Sequence, residues 1–237
     1  NNILSNSDNG VLSSENNTIE NNTITNNDIG INSFKENIIK NNIIDSNSWS
    51  GIEVGYYDII EQNTITNSIY GINAGQGNYK IYDNLISNND FGIQFNSSGE
   101  IFGNDISNNG QGLISHAYGS SLIYQNNFLS NTIQATDFES GRSDYFKTGS
   151  GGNYWSDYSD NCSDVNFDNL CDDPYPFSGG TIRVVDNYVW TAQDGWKTTI
   201  NTPSNSTVNA VDSSGLSHNY SVSATHDGTS MSVSCDY

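Results

Sequence analysis

Basic residues are scarce in this chain: 7 lysines and arginines stand against 27 aspartates and glutamates, for a formal charge of −20 over 237 residues. Nucleic acid and anionic membrane surfaces are recognised by clustered Lys and Arg, so neither is expected as a partner. No apolar run reaches the length that crosses a bilayer, and no signal-peptide pattern opens the sequence. Histidine is thin as well, with His116, His218 and His226 far apart, and Met231 is the single methionine. Three cysteines leave at least one without a partner: Cys162 and Cys171 are close enough to close a small disulfide, and Cys235 is left over, either free or separated from its partner by truncation. Helical periodicity is missing from the first half of the chain.

What the sequence does have is a repeat. Asn2, Asn22, Asn42, Asn63, Asn84, Asn104 and Asn127 recur at intervals of 20, 20, 21, 21, 20 and 23 residues, each followed two positions later by Leu or Ile. Around this mark lie three apolar anchors at constant offsets. The first follows a glycine: Val11, Ile31, Ile52, Ile72, Ile93 and Leu113. The second precedes the asparagine by three positions: Ile19, Ile39, Ile60, Ile81, Ile101 and Tyr124. The third follows it by two: Leu4, Ile24, Ile44, Ile65, Ile86, Ile106 and Leu129. Between anchors the side chains alternate as in strands, and a leucine-rich repeat pattern is absent.

These offsets predict an all-β fold: a right-handed, single-stranded parallel β-helix with three strands per coil and about 20–21 residues per coil. At one strand spacing per coil the six intervals span ~30 Å. The asparagines are expected to stack as a ladder, with a second ladder at Asn6, Asn26, Asn67, Asn88, Asn108 and Asn131 and Ser46 as its exceptional rung. The first residue already lies within a repeat, so coils before Asn1 or a neighbouring molecule are expected at that end.

Three domains are expected: coils over 1–139, an irregular C-terminal cap over 140–199, and over 200–237 a short β-hairpin or the start of an immunoglobulin-like module. In the last, Asn201 to Val208 reads as an entry strand. Tyr220, Val222 and Ala224 face Met231, Val233 and Cys235 across an Asp227-Gly228 turn.

The cap holds the best chemical candidate. Asp164, Asn166, Asp168 and Asp172 with the Leu170 carbonyl occupy positions 1, 3, 5, 9 and 7 of an acidic loop, the spacing of a chain wrapping Ca²⁺. Tyr175 stands where an EF-hand has its bidentate glutamate, so a thrombospondin-type or dockerin-like calcium loop fits better, with a solvated acidic loop as the alternative. Outward columns carry further candidates: Tyr70, Phe91, Tyr82 and Phe102 offer aromatic surface to sugar rings or to a neighbouring molecule. The column Glu20, Lys40, Glu61, Tyr82, Phe102 and Gln125 reads as a solvated ladder. Beside it runs a small polar stripe, Ser5, Thr25, Asp45, Thr66, Ser87, Ser107 and Ser130. Asn16, Asn21, Asn96, Asn161, Asn205 and Asn219 open Asn-x-Ser/Thr glycosylation sequons.

Past the repeats the chain reads GNYWSDY at 152–158, DNCSDVNFDNLCDDPYPF at 160–177 and VVDNYVW at 184–190. Asn-x-Ile-x-x-Asn coils that end in these segments, in this order, resemble the NosD-like β-helix proteins, also described as the carbohydrate-binding and sugar-hydrolase type of solenoid. The resemblance covers roughly residues 1–190 and implies a secreted or surface protein of a kind common in archaea and bacteria. It does not imply one activity, because the family spans copper-enzyme maturation, sugar-modifying enzymes and surface proteins. With scattered histidines and one methionine, copper delivery is not expected.

Lyases and epimerases on β-helices need a base grouped with carboxylates in a cleft. Here only Lys35, Lys40, Lys80 and His116 lie along the coils, beside no paired-aspartate or Asp-Pro-His motif. The expectation is therefore an extracellular, cell-surface, non-catalytic β-helix. It would act as a structural or adhesive scaffold in an envelope layer or filament, with structural Ca²⁺ and with sister subunits, neighbouring surface domains or glycans as partners. The alternative is a Ca²⁺-dependent polysaccharide lyase, epimerase or hydrolase of the pectate-lyase-like class.

Overall fold

A computed structural model describes residues 2–116, 120–138, 143–145, 150–177, 185–197, 208–211 and 217–220. It divides into two units, Asn1–Trp196 and Lys197–Tyr237.

The first unit is a right-handed parallel β-helix of about 6 turns. Its three sheets contain 8, 7 and 7 parallel strands. Sheet I runs from Ile3–Ser5 to Tyr154–Trp155, sheet II from Asn9–Glu15 to Ile133–Asp137, and sheet III from Thr18–Glu20 to Ser143–Asp144. Each coil contributes one short strand to each sheet, so every strand pairs with the strand one coil away in register: Ile24 with Ile44, Ile39 with Ile60, Ile72 with Ile93. Inside, the anchors stack into three columns, and Ile24, Ile44, Ile65, Ile86 and Ile106 are wholly buried. The β-branched side chain fits this pleated, two-sided packing, and each buried isoleucine contributes roughly 1.5–3 kcal/mol against exposure. Glycine precedes the first anchor because the coils approach too closely there for a Cβ; one built on Gly92 would sit 2.5 Å from the Gly112 carbonyl oxygen.

Corners are made by single residues in the left-handed region, each immediately before a ladder residue. Asn21, Asn41, Gln62, Asp83, Gly103 and Gln125 hold φ between 53° and 67° at one corner. Asn26, Ser46, Asn67, Asn88, Asn108 and Ser130 do so at another. Asparagine tolerates this conformation better than most residues, which is why it fills so many corners.

This corner rule corrects the sequence reading in two places. The residue after Gln125 is Asn126, and Asn126 rather than Asn127 forms the rung: it accepts from the Asn104 amide at 3.1 Å and donates to Asn153 Oδ1 at 2.9 Å. The whole last coil shifts with it by one position. Ile123 and Phe128 point inward in place of Tyr124 and Leu129, while Tyr124 and Leu129 join the outward columns expected to hold Gln125 and Ser130. In the second ladder Asn131 is a rung as expected, but the others stand one residue later than expected, at Asn27, Asn47, Asn89 and Asn109, with Ser68 as the exceptional rung. Asn6, Asn26, Asn67, Asn88 and Asn108 are the corner residues before it.

A rung has a fixed chemistry. Asn84 Oδ1 accepts from both the backbone N–H and Nδ2 of Asn63 (2.9 and 3.0 Å), and Asn84 Nδ2 donates to Asn104 Oδ1 (3.0 Å) and to the carbonyls of Ile60 and Tyr82 (2.9 Å each). Along this ladder each rung's backbone N–H and one side-chain hydrogen bond thus go to the next rung toward the C-terminal end, while Nδ2 also donates to a carbonyl of its own coil and to one of the coil before. The last rung, Asn153, donates through its N–H and Nδ2 to Asp186 Oδ2 (2.9 and 3.1 Å). Asp186 is an acceptor-only side chain, wholly buried, and it also takes Trp155 Nε1 (3.1 Å) and the Tyr188 N–H (3.0 Å). The short third-corner ladder Asn17–Asn37 ends in the same way on Asp58, which accepts from the Asn37 and Gly55 N–H groups at 2.8 and 2.7 Å.

Over the final coil the third-anchor column passes from isoleucine to aromatics. Trp155 stacks on Phe128 at 4.2 Å and Tyr175 on Trp155 at 4.3 Å, with Tyr158 and Phe177 edge-on to Tyr175. This plug covers the core where the coils stop, as a solenoid end requires. Ser159–Asn161 forms one 3₁₀ turn, and Tyr175–Pro176 pairs antiparallel with Val185–Asp186.

In the second unit Val208–Val211 pairs antiparallel with Ser217–Tyr220. The hairpin expected across Asp227-Gly228, together with Cys235, lies outside the described residues.

Candidate functional site

Cys162 and Cys171 form a disulfide. It closes the acidic loop, whose carboxylates turn back onto the loop's own amides. Asp164 Oδ1 and Asn166 Oδ1 share the Asp168 N–H (3.2 and 3.1 Å), Asp164 Oδ2 accepts from the Asn169 N–H (3.0 Å), and Asp168 Oδ1 from the Leu170 N–H (2.9 Å). Asp172 Oδ2 takes the Val165 N–H at 2.8 Å on the far side. The structure thus brings Asp164, Asn166 and Asp168 together around three successive amides, those of Asp168, Asn169 and Leu170, whereas Asp172 serves a different one.

The sugar-binding candidates fall into two columns. On sheet III, Tyr82, Phe102 and Tyr124 stack at 4.9 and 5.1 Å with planes within 6° of parallel. On sheet II, Tyr70 stacks on Phe91 at 5.1 Å, and Trp49 meets Tyr70 edge-on at 5.3 Å. Rings stacked along the helix axis turn their faces to one another and their edges outward. The faces that a pyranose would cover are therefore used between coils, except at the ends of each column.

Other outward groups are also paired along the axis. Lys40 bridges to Glu20 at 3.3 Å, the Tyr82 hydroxyl donates to Glu61, Asp45 Oδ1 accepts from Thr66 Oγ1 and Asn67 Nδ2 at 2.6 Å each, and Lys35 lies between Glu15 and Glu36. Asp105 and Asp194 approach one side chain, but it is the Asn127 amide, whose Nδ2 donates to both at 2.6 and 2.7 Å. That arrangement ties the cap to the coils and supplies no base.

Glu53 follows this pattern with one of its two oxygens. Glu53 on sheet II is half-buried; Oε2 accepts from Asn73 Nδ2 at 2.9 Å, while Oε1 is shut off from solvent. The Ser50 hydroxyl on the same strand donates to the Ile52 carbonyl at 3.1 Å. Burial raises the Glu53 carboxyl above its ordinary range against the pull of hydrogen bonds from Asn73 and Ser50. Beside it lies a cavity of about 280 Å³ lined by Asn32, Phe34, Tyr56 and Gln76 among others. Phe34 and Tyr56 were not among the sequence candidates. Their signal was the Gly55-Tyr56-Tyr57 break in the corner pattern, where Asn-rich corners give way to aromatics.

Of the sequons, Asn16 and Asn21 stand exposed at left-handed corners, Asn161 is exposed in the cap, and Asn96 is half-buried. Asn205 lies outside the described residues, and the Asn219 side chain is likewise not described.

The model of the family described as "Periplasmic copper-binding protein (NosD)" matches residues 1–160. Among curated proteins and solved structures nothing matches the chain. The description raises copper, and the donors can be tested against it. Among residues whose side chains are described, the soft or imidazole donors are His116, stacked on Phe138 at 4.8 Å, and two cysteines joined to each other. No three His, Cys, Asp or Glu side chains among the described residues come together as a metal site. This donor set does not fit copper. The match spans the Asn-x-Ile coils stacked in register and the Gly-Asn-Tyr-Trp segment that closes them, and on that ground the chain belongs to the NosD family.

Proposed function

We propose that this protein is a non-catalytic structural element outside the cytoplasm, a stiff β-helical scaffold at the cell surface. The observation that carries the reading is the axial pairing of its outward side chains. Carboxylates, amides, lysines and aromatic rings are engaged with partners in the next coil, which stiffens the rod and leaves few groups converging on a point where chemistry could occur. The family's periplasmic description and the Cys162–Cys171 disulfide support an oxidising compartment. Calcium in the loop from Asp164 to Asp172 is part of the proposal, supported by oxygen ligands at calcium-loop spacing and by the convergence of Asp164, Asn166 and Asp168; it would clamp the cap.

The test combines negative-stain imaging and light scattering, with millimolar Ca²⁺ or a chelator, with lyase and reducing-end assays on acidic and neutral polysaccharides. Ordered polymers or sheets and no turnover are expected. Turnover of any polysaccharide by a monodisperse protein would overturn the reading.

A further inference from the structure

Charge is spread unevenly over the three sheet faces. Sheet III carries Glu20, Lys40, Glu61, Lys80 and Glu100 outward on successive coils. Sheet I presents Asp45 and Asp105, and its exposed aliphatics Ile3, Ile43 and Leu85 alternate with threonines in one column. On sheet II the strands from Ser50–Val54 to Ile133–Asp137 turn one charge outward, Glu53, because Asp137 lies in the inward column with Phe95 and Ser115. At the other end of sheet II Glu15 and Lys35 bridge each other at 3.8 Å. In a chain of −20 this face is close to neutral.

It is also where large apolar side chains gather at the surface. Leu12, Phe34, Trp49 and Ile133 are 40–63% exposed. Ile29, Tyr70 and Phe91 add half-buried apolar surface in the column that ends at Ile133. Tyr70 and Phe91 stack along the axis and so turn their edges outward, ready for the edge-to-face contacts that rings prefer. Down the middle run Asn32, Asn73 and Gln94, in register with Glu53, and their amides both donate and accept across a contact. A contiguous apolar face of this kind marks a macromolecular contact.

Charge and area decide what covers it. Two bodies of −20 repel each other, so copies of this chain approach closely only where charge is nearly absent. A basic partner would be drawn to the acidic surfaces instead and gains nothing from the neutral face. Seven strands of about five residues make a face of about 34 Å by about 16 Å, so a two-fold contact covers on the order of 1,000 Å² from both copies together, the lower bound of a specific interface. We propose that sheet II is the face through which two copies of this chain pack, sheet on sheet about a two-fold axis, the same patch being used on both. The inference rests on the scaffold reading, which it deepens by naming the face that joins one rod to the next.

The test is sedimentation equilibrium of the whole chain over a range of concentrations, where a reversible dimer is expected. Apolar burial here works against net repulsion, so added sodium chloride should tighten the dimer, whereas a contact made by ion pairs would loosen. Phe34→Glu, Trp49→Glu and Ile133→Glu should each weaken it about 10-fold or more, while Leu85→Glu on sheet I leaves it unchanged. All four positions are exposed, so circular dichroism and melting temperature should match the parent's. A monomer at every concentration overturns the proposal. So does association that survives all three sheet II substitutions, or that Leu85→Glu or added salt abolishes. None of these outcomes touches the scaffold reading, which falls on polysaccharide turnover.

Discussion

Exchanging donor for acceptor at one atom of a ladder rung tests the account of what holds the coils together. In Asn84→Asp the backbone, the volume and the accepting oxygen are all kept; only Nδ2 becomes oxygen. That atom now faces Asn104 Oδ1 at 3.0 Å and the Ile60 and Tyr82 carbonyls at 2.9 Å, three acceptors with no proton between them. Asn84 is 2% exposed, so water cannot take over. Two amide protons are lost at roughly 1 kcal/mol each, and the orphaned carbonyls and the buried charge add at least as much, for about 4 kcal/mol at neutral pH. Protonation returns one donor. The carboxyl at 84 would therefore have a raised pKa in the folded state, and the loss should shrink as pH falls below that value. Urea unfolding of variant and parent at pH 7 and pH 4 reads the difference, and hydrogen exchange at the Asn63 and Asn84 amides locates it. A variant within 1 kcal/mol of the parent at pH 7, or one whose deficit grows on acidification, would refute the donor-passing ladder.

Three further outcomes follow from the cap. Burial pushes the Asp186 carboxyl up to about 6 despite four donated hydrogen bonds. Its folded-state pKa thus lies above the unfolded one, so its contribution is full below about pH 4 and is lost as pH rises through about 6, a change of roughly 3 kcal/mol. Asp186→Asn should flatten that part of the stability–pH curve in urea titrations. At pH 5 and below, where Asp186 is itself mostly protonated, the variant should still cost about 1 kcal/mol, because an amide NH2 cannot accept from the Asn153 or Tyr188 N–H whereas a protonated carboxyl oxygen can. Reducing the Cys162–Cys171 disulfide releases a sequence separation of 9 residues and should destabilise the cap by about 2–3 kcal/mol, seen as faster proteolysis within 160–175 with the coils still protected.

The fold was legible because its signals repeat. Ile24, Ile44, Ile65, Ile86 and Ile106 each give weak evidence alone, and the shared offset makes them strong together. Misreadings occurred where repetition was ambiguous. Asn126 and Asn127 are adjacent, and only the left-handed residue before the rung distinguishes them; at the second corner Asn26-Asn27 and Asn88-Asn89 present the same choice. A corner and a rung both favour asparagine for different physical reasons, one for φ and the other for a side chain that can donate and accept, so composition alone cannot say which is which.

The cap shows why the remainder needed coordinates, and why it is nevertheless chemically determined. An asparagine ladder is directional: each rung's Oδ1 accepts from the rung before, and its backbone N–H and one Nδ2 hydrogen bond go to the rung after. A further asparagine would only postpone the problem at the C-terminal end, and an apolar residue would leave two donors buried. At the end of the first ladder, where both the N–H and Nδ2 of Asn153 seek one acceptor, an ionised carboxylate accepts without donating. Asp186 meets that demand from 33 positions beyond Asn153, while Trp155 both stacks on Phe128 and gives its indole N–H to the same carboxylate. The Gly-Asn-Tyr-Trp and Asp-Asn-Tyr segments, separate in sequence, are thus two halves of one terminator. The distance between them is free to vary because only Asn153, Trp155 and Asp186 must meet.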